Sequence, residues 1–292
     1  MKMHPARTFR LLALVLTGIL LVALPLLAKD LQLPSSRFVE VRQIRGTVTY
    51  QGRQAKVGDR LTTSGQQIAT GANSSAVLAV DTAIATINVS ENSILQIKNL
   101  SLAAKGGRVT VLGVPKGQAR IQARTLKNPN SRLEISSPSG VAGVRGTVFG
   151  VAVDPKGKTG ISTLEGAVAT TAKGQTVIIN GGYSSVVFPG SPPTSPRLTK
   201  DKLKYKLESL SAIGNNQIRL ICIVDPLNLA FLNNRPIEIN QKGKIDAILP
   251  APANSNLRLV VRSPLGEEKY YNLSAKLRES GVNSQYSLAN GF

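Results

Sequence analysis

Residues 136–154, SSPSGVAGVRGTVFGVAVD, form a run in which a Ser-Pro turn leads into alternating valines punctuated by four glycines. Period-two alternation is the pattern of a strand. It puts Val141, Arg145, Thr147, Phe149, Val151 and Val153 on one face, and Val144 and Val148 with small residues on the other. Neither face is polar enough to stand in water, so the strand is expected to be covered on both sides. Arg145 is the charge set within it. A guanidinium among apolar neighbours needs carboxylate or carbonyl partners, because an unpaired buried charge is costly. Glu134 and Glu165 are the nearest acids in sequence. Arg145 is therefore expected to tie neighbouring strands together, with a contact to an anionic ligand as the alternative.

The rest of the chain suits the same kind of packing. Val, Thr, Ser, Gly and Asn dominate, aromatics make up 4% and tryptophan is absent, which favours short strands and tight turns over helices. The expected fold class is all-β, and 292 residues allow two domains.

Residues 1–28 have a basic start, an apolar run and a break at Pro25, the layout of a secretory signal peptide. An uncleaved membrane anchor is the alternative, since residues 11–28 are barely long enough to span. Removing residues 1–28 takes away three positive charges and no negative ones, so the formal +20 becomes +17. A field of one sign concentrates opposite charge, so the expected partner of an exported protein is an anionic envelope polymer. Another envelope protein is the second candidate, and nucleic acid is not expected. The locations implied are the periplasm or cell surface, or the inner membrane if the N-terminal segment is retained.

The chemistry available is limited. The one histidine, His4, lies in the signal segment and Cys222 is the one cysteine, which removes histidine-activated nucleophiles, most zinc sites and any intrachain disulfide. Cys222 sits among Ile221, Ile223 and Val224 as a small hydrophobe. Glu267 and Glu268 are adjacent and would point to opposite strand faces, which is unsuited to glycoside hydrolysis. No catalytic residue, metal or cofactor is expected.

No acid occurs between Glu91 and Glu134, whereas Lys98, Lys105, Arg108, Lys116, Arg120, Arg124, Lys127 and Arg132 all fall there. Lys105, Arg108, Lys116, Arg120, Arg124 and Lys127 are candidates for an anion-binding face, against the plain alternative of a solvated surface. Arg120, Gln122 and Arg124 alternate with Ile121 and Ala123, which suggests a ridge of charge on a strand.

Further on, residues 189–196, PGSPPTSP, read as an extended, semi-rigid linker. Leucines 203, 207 and 210 with Ile213 predict a basic connector helix over 198–213, one that could also lie on a membrane surface. Residues 217–274 give about six strands separated by turns, and 275–292 a flexible polar tail.

The string SPSGVAGVRGTVFGVAV resembles the signature of the FecR domain, through Pro138, Val144, Arg145, Gly146, Thr147 and Phe149. Residues 46–48, 58–61 and 92–95, and the segment 164–168 with Glu165 and Gly166, are similar to further pieces of that family in the same order. Asp81-Thr82 stands where the family commonly has Asp-Gly. The resemblance covers 38–188 and implies a stacked-strand, β-solenoid-like body in an envelope protein that contacts a partner or senses a signal, with the motif residues mostly structural. Residues 217–274 resemble a bacterial immunoglobulin-like β-sandwich, with Asn234 in place of the hairpin glycine. The expected protein is a secreted, non-catalytic binding module, with a membrane-anchored sensor subunit as the alternative.

Overall fold

The long alternating segments do not stay in one sheet. The structure, a computed structural model, describes residues 37–82, 84–199, 203–213, 217–251 and 256–274. The expected signal peptide or anchor and the expected tail therefore lie outside the described residues. Among the described residues no helix is long and apolar enough to cross a membrane.

In chain order the first strands are β1 (Val39–Arg45), β2 (Val48–Tyr50), β3 (Arg53–Gln54), β4 (Arg60–Leu61), β5 (Gln67–Thr70), β6 (Ser75–Val80), β7 (Ala85–Val89) and β8 (Ile94–Ala103). They are followed by β9 (Gly107–Ala123), β10 (Arg132–Ser136), β11 (Val141–Val144), β12 (Val148–Val153), β13 (Thr159–Glu165), β14 (Ala167–Ala172), β15 (Gln175–Asn180), β16 (Tyr183–Val187) and β17 (Arg197–Leu198). One sheet runs β4-β1-β6-β7-β9-β12-β13-β16-β17. The other runs β3-β2-β5-β8-β9-β10-β11-β14-β15. Strand β9 belongs to both. Its first half pairs with β8 and β10, and its second half with β7 and β12.

The core lies between the two sheets. Leu78, Ile87, Ile121, Phe149 and Ile161 come from one inner face, and Ile68, Leu95, Leu112, Ile135, Val168 and Ile179 from the other. The chain crosses repeatedly from sheet to sheet, as stacked coils would. Pairing is nevertheless antiparallel except between β9 and β10, so the stack is built largely of hairpins.

The run 136–154 is not one strand, as alternation suggested, but two. β11 lies in the second sheet and β12 in the first, with Arg145, Gly146 and Thr147 as the corner between them. Crossing the corner changes which residues face the core: Ala142 and Val144 point inward before it, Phe149, Val151 and Val153 after it, and Val141 is 37% exposed. Arg145 sits on the corner, exposed, and its Nε donates to the Leu126 carbonyl at 3.1 Å. The expected burial of Arg145 is thus corrected, because the corner lifts its side chain out of the core; of the two partner types expected, it has the carbonyl. Residues 38–50, 159–172 and 175–188 are each divided between the two sheets in the same way.

A buried arginine does exist, at Arg37. Its Nε and Nη2 donate to Asp81 at 3.1 and 2.9 Å, its Nη2 also donates to Thr110 Oγ1 at 2.7 Å, and its Nη1 donates to the Ser101 and Val109 carbonyls. Asp81 also accepts from the Phe38 amide and from Arg108. The turn at Asp81-Thr82, which departs from the Asp-Gly of the family pattern, is therefore built around a carboxylate that gathers two arginines.

The second body comprises β18 (Tyr205–Ile213), β19 (Gln217–Val224), β20 (Leu229–Leu232), β21 (Arg235–Ile237), β22 (Lys244–Pro250), β23 (Asn256–Arg262) and β24 (Glu268–Ser274). The sheets β18-β19-β22 and β21-β20-β23-β24 face one another across Ile218, Leu220, Cys222, Ile245, Leu257, Leu259 and Val261. Asn233 and Asn234 both take left-handed backbone angles at the β20–β21 turn, a conformation that asparagine tolerates better than most residues. Burial pushes the Cys222 thiol up to about 11, with Glu208 adding to it, so the thiol stays protonated near neutral pH.

The helix expected over 198–213 is a strand. Leu203, Leu207 and Leu210 do face the core, but Tyr205–Ile213 pairs with β19 along its whole length, with a register shift between Leu207 and Ser209. A ladder partner and an open sandwich edge override a helical spacing that rests on four apolar residues. The proline-rich segment does not leave the first body directly. Val187 bridges to Pro193, Thr194 exchanges backbone and side-chain hydrogen bonds with Ser185 and Val186, and β17 adds to β16.

Candidate functional site

The family-motif glycines lie at touching corners. β11 turns into β12 at Gly146 (φ +92°), and β13 turns into β14 at Gly166 (φ +78°). A methyl group on Gly166 would stand 2.6 Å from the Gly146 carbonyl oxygen, and Thr147 Oγ1 donates to the Ala167 carbonyl at 3.0 Å. Both corners thus need residues without Cβ atoms. Phe149 and Val144 are buried beside them, and Pro138 opens the turn before β11, packing near Gly157. Glu165 is exposed at the second corner. These positions hold the stack together. Val144 and Arg145 also line an open cavity of about 360 Å³, with Arg132, Glu134, Gly143 and Ala169.

The outer face of β12 and β13 is covered by the second body. Gly150 meets the Pro264 carbonyl so closely that a Cβ would lie 1.9 Å from its oxygen, and Gly160 meets the Leu227 carbonyl at 2.2 Å on the same measure. Ala152 packs with Leu229, Phe231 and Val260. Gln118 Nε2 donates to the Ser263 and Pro264 carbonyls at 2.7 and 2.9 Å. Arg262, stacked 4.6 Å from the Phe231 ring centroid, donates to Glu91 on the first body and to Glu268 beside it. Burial opposes ionisation of Glu91, but hydrogen bonds from Arg262 and the Asn73 amide hold its carboxyl below the usual range.

Lys158 is a further buried charge at this junction. Its Nζ donates to the Asn228 carbonyl at 2.9 Å and stands 3.9 Å from Asp154. Burial pulls it down to about 8, against the opposing pull of Asp154, Asp225 and Glu238. Between about pH 8 and the unfolded value of 10.5, the unfolded chain keeps the proton that the folded one has released. Stability should therefore rise with pH through that window by up to roughly 3 kcal/mol, and be flat below it. Urea unfolding from pH 7 to 10 of the native protein and Lys158→Met checks this: the native curve should gain on the variant's, and parallel curves would refute it.

The basic residues singled out from the sequence are placed in four regions. Arg108, Lys116 and Arg120 lie on β9, a single 17-residue strand that changes sheets around Lys116 and Gly117. Arg120 and Gln122 are exposed on the outer face, opposite buried Ile121. Arg108, Arg124 and Lys127 line one shallow cavity of about 320 Å³ together with Thr82, Leu126 and Ser131. Lys116 lies at the junction with the second body, and Lys105 at the short helical turn before β9. Among the described residues no group of three or more metal-ligating side chains is assembled.

Residues 66–169 match the family model described as FecR protein. This FecR domain includes the 92–95 and 136–154 pieces of the motif and β9, while the opening pieces at 46–48 and 58–61 precede it. FecR proteins are envelope-associated regulators rather than enzymes. No curated protein sequence matches the chain at a significant level. Among solved structures, two of a candidate anti-sigma factor from Parabacteroides distasonis share 9% identity with it. The similarity covers 45% of this chain and 59% of theirs, with a TM-score of 0.38, so the chain spans less than two thirds of their length. A polysaccharide lyase shares 6% identity over 82% of this chain and 39% of its own, with a TM-score of 0.19.

Proposed function

We propose that the protein is a non-catalytic envelope component whose FecR-domain body binds an acidic surface polymer. The observation that carries this reading is the convergence of Arg108, Arg124 and Lys127 on one cavity. Arg120 stands on the outer face of the same strand as Arg108. Arg108 is shared with Asp81, whereas Arg120, Arg124 and Lys127 make no ion pair among the described residues. Exposed cations on a folded framework attract a polyanion without needing a deep pocket, and such binding weakens as salt screens it.

Retention on immobilised polygalacturonate across a salt series tests the reading. The full chain should bind saturably at low salt, and the Arg120→Gln/Arg124→Gln/Lys127→Gln variant should bind at least about tenfold more weakly with unchanged melting. Equal binding by the variant would refute it. The FecR match also supports a second reading, a membrane-anchored subunit that relays a signal from another envelope protein. N-terminal sequencing of the protein from cells separates the two: a start near Lys29 leaves no anchor, and retention of residues 11–28 favours the relay.

A further inference from the structure

A second cavity, of about 380 Å³, lies where β9 and the end of β12 meet the β20–β21 hairpin. Its volume falls in the range of small-ligand sites, which favour junctions between packed bodies. Phe231, Leu229, Val153 and Ile237 make its wall apolar. Two carboxylates also line it, but both are already engaged. Glu91 accepts from Arg262 and the Asn73 amide, and Asp154 accepts from the Lys156 and Lys158 amides.

Of the three cations that line it, Arg262 is paired with Glu91 and Glu268, and the other two are not engaged in the same way. Lys116, from the point where β9 changes sheets, and Arg235, from the start of β21, both line the cavity, are exposed, and make no ion pair among the described residues. Arg262 also lines it, is 4% exposed, and its Nη1 has no hydrogen-bond partner among the described residues. The cavity thus combines an apolar wall with donors and positive charge in excess of the acceptors present. A wall of this kind gains from burying hydrocarbon, and its unpaired cations gain from an acid group at the mouth.

We propose that this cleft binds a small amphiphilic carboxylate, its acid group between Lys116 and Arg235 and its hydrocarbon against Phe231, Leu229 and Ile237. The site is separate from the polymer-binding face at Arg108, Arg124 and Lys127, and does not depend on it.

Calorimetric titration of the full chain with decanoate, and with decanol as its neutral counterpart, is the test. Decanoate should bind at one site per chain, at least tenfold more tightly than decanol. Lys116→Gln/Arg235→Gln should remove that preference, while Arg124→Gln/Lys127→Gln leaves it intact. Equal affinity for acid and alcohol, unchanged affinity in Lys116→Gln/Arg235→Gln, or no saturable binding would each overturn the proposal. Unaltered melting of the double variant in the absence of decanoate shows that the loss is one of recognition, because both side chains are exposed.

Discussion

Arg37→Met is expected to destabilise the first body by about 3–5 kcal/mol, the usual cost of removing one partner from a buried ion pair. Arg37 joins the turn at Asp81 to the carbonyls of Ser101 and Val109 and to the Thr110 hydroxyl, so one substitution releases β8, β9 and the β6–β7 connection together. Asp81 would retain the Phe38 amide and the more distant Arg108, at 3.1 and 3.3 Å. Urea denaturation measures the loss. The Arg37→Met/Asp81→Asn double variant should recover part of it, because no unpaired carboxylate is then left buried. A loss below about 1 kcal/mol would mean that the pair contributes no more than an exposed salt bridge.

Gly150→Val should separate the two bodies while leaving the first one folded. Gly150 lies in regular strand backbone, where valine is favoured, so within β12 alone the change is harmless or better. Its outward side, however, is filled by the Pro264 carbonyl, and a side chain there must push the 263–266 turn away from Gln118. The contacts of Ala152 with Leu229 and Phe231 and the ion pair of Arg262 with Glu91 would be lost with it. Limited proteolysis is expected to cut rapidly between the bodies in the variant and slowly in the native protein. Gly160→Val, which meets the Leu227 carbonyl, should behave in the same way. Equal cleavage rates in all three proteins would show that docking does not depend on these close approaches.

Much of this was visible in the residues. The spacing of turns marks the strands β19 to β24, alternation marks the inward side of β12, and the valine-glycine segments are β structure as their composition suggests. The corners were not visible, because alternation continues across Gly146 and Gly166 while the chain passes into the opposite sheet. Arg145 reads as a core residue for that reason, and nothing in the residues of β12 and β13 signals that their cover comes from residues 227 and 264. Arg37 was missed because a single arginine after a polar lead has no pattern; its partners are set by the turn at Asp81 and by β9. The helix expected over 198–213 failed for the opposite reason: its leucine spacing was real, but a free sandwich edge decided the conformation.

The placement of β9 also bears on how the chain is made. Every strand before it pairs on one side, and every strand from β10 to β17 lies on the other, so apart from β3 and β4 at the first edges, position along the stack follows position along the sequence. A chain that appears N-terminus first, at the ribosome or on the far side of a membrane, can complete β1 to β9 with all of their mutual contacts before β10 follows, and then lengthen hairpin by hairpin. At each stage the newest strands are open edges, and the order of synthesis supplies the segment that closes them.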